Sequence, residues 1–149
     1  MNSEEKRDTT IKYNLETVEK NKPEVEKNIS LLVEKGYERF EEEGAGPTLT
    51  KSILLEGIKN TIRNEKRKEI YHAFLDSESG AKEATDNVIF LIVRGMINDL
   101  LKSGKIAESD AVEMFPDIKL IFSDFLGEEK YKELDSGLKS IVRSFIRRK

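Results

Sequence analysis

Val88-Ile-Phe-Leu-Ile-Val-Arg-Gly-Met-Ile-Asn-Asp-Leu-Leu101 decides the fold, because ten of its fourteen residues are large and apolar. Composition alone leaves Val88 to Val93 open to a buried strand or a buried helix. The flanks settle it. Ala81, Lys82, Glu83 and Ala84 favour helix, and no turn signal separates them from the run. Met96, Leu100 and Leu101 continue at helical spacing, and Gly104 offers a left-handed stop. The reading is one helix from about Gly80 to Ser103. Asn87, Arg94, Asn98 and Lys102 fall on one line with Asp99 beside it. The remaining face is wide and apolar, so neighbours must cover it on several sides. Gly95 costs this helix about 1 kcal/mol, and close approach of a crossing helix is the expected reason. A membrane span needs about 20 mostly apolar residues, and this run is shorter and broken by Arg94, Asn98 and Asp99.

Working outward, the first 46 residues hold two apolar patterns. Ile11, Leu15 and Val18 recur at four and three; Val25, Ile29, Leu32, Val33, Tyr37 and Phe40 follow. Pro23 lies between them. Proline suits a helix's first turn rather than its interior, so a second helix, or a kink, is expected near Asn21 or Lys22. A heptad can be written from position 11 to 36, but Lys22 and Gly36 occupy two seam positions. Residues 9–43 read as a semi-independent hairpin or dimerisation element, and residues 1–8 as a frayed end. Glu41-Glu-Glu-Gly-Ala-Gly-Pro47 is the clearest loop.

Thr48 or Thr50 can cap the next helix, which carries Ile53, Leu54, Leu55, Ile58 and Ile62. Lys66 falls where the stripe should continue, so this helix must bend, snorkel the lysine or run through solvent. Ile70, Tyr71, Phe74 and Leu75 resume it. Past Gly104, Ile106 should pack back on the central helix. Asp110 with Glu113 has the character of a capping box, opening a short helix that Pro116 ends or restarts. Asp117 to Leu126 is mostly apolar, Gly127 stops it, and a last helix runs from Glu128 to about Arg148. No strand alternation or hairpin turn is present. The expected fold is one all-α domain over residues 1–149, a compact bundle of five to seven helices around the segment 80–103.

The chain has 26 basic and 29 acidic residues and no cysteine. Its net charge of −3 excludes a generically basic, nucleic-acid-coating protein. Without thiols there is no disulfide frame, thiolate metal site or cysteine nucleophile. The polar first ten residues do not resemble a signal peptide, and the cytoplasm is the expected location. The only histidine, His72, follows Glu69 in a Glu-x-x-His pattern whose side chains share a helix face. Di-iron bundles use two such motifs and further glutamates, so an exposed or half-packed histidine is expected here, with no metal. No phosphate loop or dinucleotide fingerprint is present. Neither catalytic residues, a cofactor nor a small-molecule ligand is expected.

Two basic rows stand out within residues 59–68 and 139–149. Lys59, Arg63 and Arg67 are spaced by four with Lys66 adjacent; Lys139, Arg143, Arg147, Arg148 and Lys149 follow the last acid, Asp135. Either row could track phosphates. Cations near a helix C-terminus also suit the macrodipole, and no nucleic-acid motif accompanies them. The favoured expectation is therefore a non-catalytic protein-interaction or regulatory module. Its partner, or a second copy, would meet Ile11, Leu15 and Val18. Nucleic-acid binding through Lys59, Arg63, Arg67, Arg143, Arg147 and Arg148 is the alternative.

Overall fold

A computed structural model describes residues 12–42 and 49–147, and every regular element among them is helical. They are α1 (Leu15–Glu42), α2 (Lys51–Ile62), a 3-10 turn (Glu65–Arg67), α3 (Lys68–Leu75), α4 (Ala81–Lys102) and α5 (Glu108–Arg147). Gly127 interrupts α5 with φ +79 and ψ 168. This divides it into an N-terminal arm, 108–126, and a C-terminal arm, 128–147. The all-α multi-helix bundle expected from the sequence is the fold. Of the expected loop at 41–47, Glu41 and Glu42 belong to the last turn of α1; residues 43–47 and the expected frayed end at 1–8 lie outside the described residues.

The apolar run forms α4, and α4 touches each of the other four α-helices. Val88, Ile89, Ile92, Val93, Met96 and Ile97 are buried in it. Its polar line faces outward: Asn87, Arg94 and Asn98 are half-buried and Lys102 is exposed. The stop after Lys102 is complete. Gly104 has φ +74, its N–H donates to the Leu101 carbonyl (3.2 Å), and Lys105 N–H donates to Leu100 (3.0 Å). These two bonds satisfy carbonyls that the helix end would otherwise leave unmet.

The prolines depart from the sequence reading. One helix, α1, runs through Pro23, and α5 runs through Pro116. No second helix opens at Asn21 or Lys22. Each proline frees the carbonyl four residues earlier. Glu19 and Pro23 are exposed, as are Val112 and Pro116, so water can meet those carbonyls at little cost. Asn14 caps the start of α1: its side-chain oxygen accepts from the N–H groups of Glu16 (3.0 Å) and Thr17 (3.3 Å). At α5, Asp110 does not begin the helix. It sits in the first turn, and its carboxylate accepts the Ala107 N–H at 2.9 Å. The Lys66 dilemma is resolved by a break: α2 ends at Ile62, and Asn64 caps a 3-10 turn by accepting from Lys66 N–H at 2.9 Å. Thr50 caps α2, its side chain accepting from the Ile53 N–H.

Gly95 is also corrected. A Cβ there would meet only the Arg67 guanidinium, at 3.6 Å. The close approaches lie at glycines of the neighbouring helices. A Cβ on Gly36 would sit 2.5 Å from the Ile121 carbonyl oxygen and 2.8 Å from its Cγ2. One on Gly57 would be 3.1 Å from Met96 Cβ, and one on Gly137 3.3 Å from Arg94 Cδ. Gly36, a defect in the heptad reading, is where α1 rests against α5.

Directional bonds set the position of α1. The Asn21 amide donates to the carbonyls of Leu75 (2.9 Å) and Ser77 (3.0 Å), and Asn28 donates to Thr85 Oγ1 (3.1 Å). Tyr71 donates to Glu26 at 3.1 Å. Near the end of the N-terminal arm of α5, Lys82 donates to the Phe125 carbonyl (3.0 Å) while paired with the buried Asp86 (2.8 Å). Phe125 lies just before the break at Gly127, so Lys82 satisfies a carbonyl at a helix C-terminus.

Two stability measurements follow. Ile92 is 2% exposed, so Ile92→Asp buries an unpaired carboxylate costing several kcal/mol; loss of the cooperative thermal transition is expected. Gly36→Ala forces an overpacked contact costing about 1–3 kcal/mol, more than the roughly 1 kcal/mol of helix propensity gained. Gly95→Ala incurs no such clash and should be neutral or stabilising. Melting temperatures ordered Gly36→Ala below wild type, and Gly95→Ala at or above it, are the expected result.

Candidate interaction surfaces

The N-terminal stripe does not form one face. Val18 is 1% exposed and belongs to the core, whereas Leu15 is 54% exposed. Ile11 lies outside the described residues. The three-and-four spacing of this stripe is the helical spacing of a core-facing stripe, and the start of α1 at Leu15 turns Val18 inward with Val25, Ile29 and Val33.

His72 is buried, at 8% exposure, rather than exposed or half-packed as its place beside the charged run suggested. Its Nδ1 lies 3.3 Å from the Tyr13 hydroxyl, and the two rings meet edge to face at 5.3 Å. Glu69 is exposed. Among the described residues, no three His, Asp or Glu side chains converge as a metal site. Burial lowers the His72 pKa below its usual 6.5, and the nearby positive charges of Lys22 and Lys68 lower it further. The neighbouring Tyr71 phenol is raised above its ordinary value, first by burial and then by Glu26. Burial, with Asp135, pushes Tyr131 up to about 12; its hydroxyl donates to the Phe115 carbonyl at 3.2 Å and ties the two arms of α5 together.

The two basic rows have different fates. Lys59 and Arg63 are exposed, but the chain turns at Asn64, and Arg67 is bound to Asp99 with both carboxylate oxygens at 2.8 Å. That row is broken. In the C-terminal arm of α5, Lys139 pairs with Asp135 at 2.8 Å, while Arg143 and Arg147 are exposed, with no carboxylate partner among the described residues. They line an open trough of about 340 Å3 with Ser140 and Ser144. Arg148 lies outside the described residues.

Three further grooves have apolar floors. The first, about 300 Å3, runs between α1 and the N-terminal arm of α5, lined by Leu31, Leu32, Lys35, Gly36, Ile121 and Phe125 beside Asn28. The second, about 470 Å3, lies between α2 and α4 over Ile53, Gly57, Met96, Leu100 and Ile106. Ile106 does pack back toward α4. The third, about 260 Å3, separates α1 from α2 at Ile29, Val33, Leu55 and Ile58. Leu31 and Leu55, 43% and 47% exposed, are the residues that sequence reasoning missed. The signal was the runs Leu31-Leu32-Val33 and Ile53-Leu54-Leu55. Successive residues on a helix are about 100° apart, so not every member of such a run faces the core.

The chain matches no known family model, no curated protein and no solved structure. No helix among the described residues is long and apolar enough to cross a membrane.

A histidine held neutral by burial stabilises the fold fully above its unfolded pKa of about 6.5. That contribution is lost as the pH falls from there through the lowered folded value, because the unfolded chain takes up the proton first. Chemical denaturation of wild type and His72→Phe between about pH 7.5 and pH 5 should show a smaller loss of stability in the variant. Parallel profiles would mean that His72 carries no such linkage.

Proposed function

We propose that this chain is a non-catalytic, helical protein-interaction module that works in the cytoplasm, either on a partner protein or on a second copy of itself. The observation that carries the reading is the groove between α1 and α5. Its apolar floor is Leu32, Ile121 and Phe125, closed below by the contact of Gly36 with Ile121, and Leu31 stands exposed at its rim. An amphipathic helix presenting one apolar row fits such a site, since apolar contact supplies affinity while the rim supplies register. Lys35 at the rim favours a partner with an acid beside that row. The absence of cysteine suits a reducing compartment.

Nucleic-acid binding by both basic rows together is less well supported, because Arg67 is already paired with Asp99. The exposed Leu15 can extend an interface at the start of α1, but Val18 has no surface to offer.

The test uses Leu31→Asp. The side chain is at the surface, so the melting temperature should change little. Sedimentation of the purified chain, and affinity capture with wild type and variant as parallel baits, read the interaction. A self-associated species, or a bound protein, that wild type holds and Leu31→Asp loses is the expected outcome. A strict monomer whose two baits retain the same proteins removes the reading.

A further inference from the structure

The trough on the C-terminal arm of α5 has a chemistry unlike any other surface of the molecule. Ser140, Arg143, Ser144 and Arg147 are spaced three, one and three apart, which places them on one helix face. The two arginines are one turn apart, about 6 Å along the axis. Among the described residues, every side chain lining the trough can donate a hydrogen bond and none is acidic. Among the described residues neither guanidinium is spent on a carboxylate, unlike the Arg67 guanidinium and the Lys139 ammonium.

We infer that this face binds a phosphomonoester on a partner protein, a phosphorylated side chain held between Arg143 and Arg147, with hydroxyl donors from Ser140 and Ser144. Guanidinium forks match the oxygens of a phosphate, and the charge-assisted bonds they make are the stronger class. Charge decides against a long polyanion as the ligand. The segment 136–149 has five basic residues and no acid, but the other 135 residues hold 21 basic and 29 acidic side chains. A nucleic acid long enough to run back from this face onto that negative body is repelled. A single phosphate on a short segment is not. Ile146, 54% exposed beside Arg147, gives an apolar neighbour to the phosphorylated residue a place to rest.

The inference rests on the protein-interaction reading and names the chemistry of the partner at a second surface. It can fail alone: losing the phosphate site leaves the Leu31→Asp comparison unaffected, and the reverse also holds.

The experiment is a nuclear magnetic resonance titration of the full chain with O-phosphoserine and with inorganic phosphate, using serine at matched ionic strength as the control. Saturable shifts confined to residues 140–147 and to the Arg143 and Arg147 side chains are expected. Arg143→Gln and Arg147→Gln should each weaken the phosphoserine response about tenfold, one charge-assisted bond's worth. Both side chains are exposed, and unchanged spectra elsewhere show that the fold is kept. Shifts spread equally over Lys59 and Lys66, or indifferent to both substitutions, reduce the effect to general screening and overturn the site. Two further arms test other sources of phosphate. A short single-stranded oligonucleotide that binds more tightly than phosphoserine, with a salt slope of more than two phosphates, makes this a nucleic-acid surface. Binding to phosphatidylserine vesicles in place of phosphoserine makes it a lipid surface. Either result also overturns the proposal.

Discussion

Burial of α4 is the constraint from which the rest of the structure follows. A helix apolar over most of its circumference is stable in water only when other elements cover it. Here four helices do so, and α4 is left with a narrow polar line on its outer side. The covering helices reach it through their own small residues. Gly57 of α2 sits over Met96, and Gly137 of α5 sits over the stem of Arg94. Among the covering helices, Gly36 lets α1 settle onto the backbone of Ile121. Close approach multiplies dispersion contacts that are individually small, and it leaves no room for added carbon at those points.

Hydrophobic burial is non-directional, so it does not by itself choose among the rotations and slides open to these helices. The cross-helix polar contacts make that choice. Asn21 reaches the two carbonyls at the end of α3, Asn28 reaches Thr85 on α4, and Tyr71 reaches Glu26. A slide of α1 by one turn leaves each of these buried or half-buried groups without a partner, at about 1–3 kcal/mol apiece. The edge-to-face contact of Tyr13 and His72 fixes the start of α1 against α3. Lys82 does similar work just before the break in α5, where it satisfies Asp86 and the Phe125 carbonyl together.

What this core leaves outside is divided. The body of the protein is acidic, and its C-terminal arm ends in a basic tip. Apolar side chains remain at the edges of the grooves beside α1 and α2. Such edges arise because helices are cylinders, and a covering layer of four around a fifth cannot close every seam. The functional proposals concern those seams and that tip.

The sequence by itself determined the helical class, the extent of the central helix and the residues that end it. These are local properties: apolar spacing, and glycine at positive φ where the chain must turn, as at Gly104 and Gly127. It also exposed the conflict at Lys66, which the chain resolves by breaking the helix. Only the tertiary structure decided how Pro23 and Pro116 are tolerated, because that depends on whether the freed carbonyls face water. Only it separated Val18, in the core, from Leu15, at the surface, although both sit on one apolar spacing. The two basic rows look alike in one dimension. They differ in three because Asp99, thirty-two residues further along the chain, reaches Arg67, while nothing acidic among the described residues reaches Arg143 or Arg147. Pairing between distant residues is a property of the packed chain, and no local pattern encodes it.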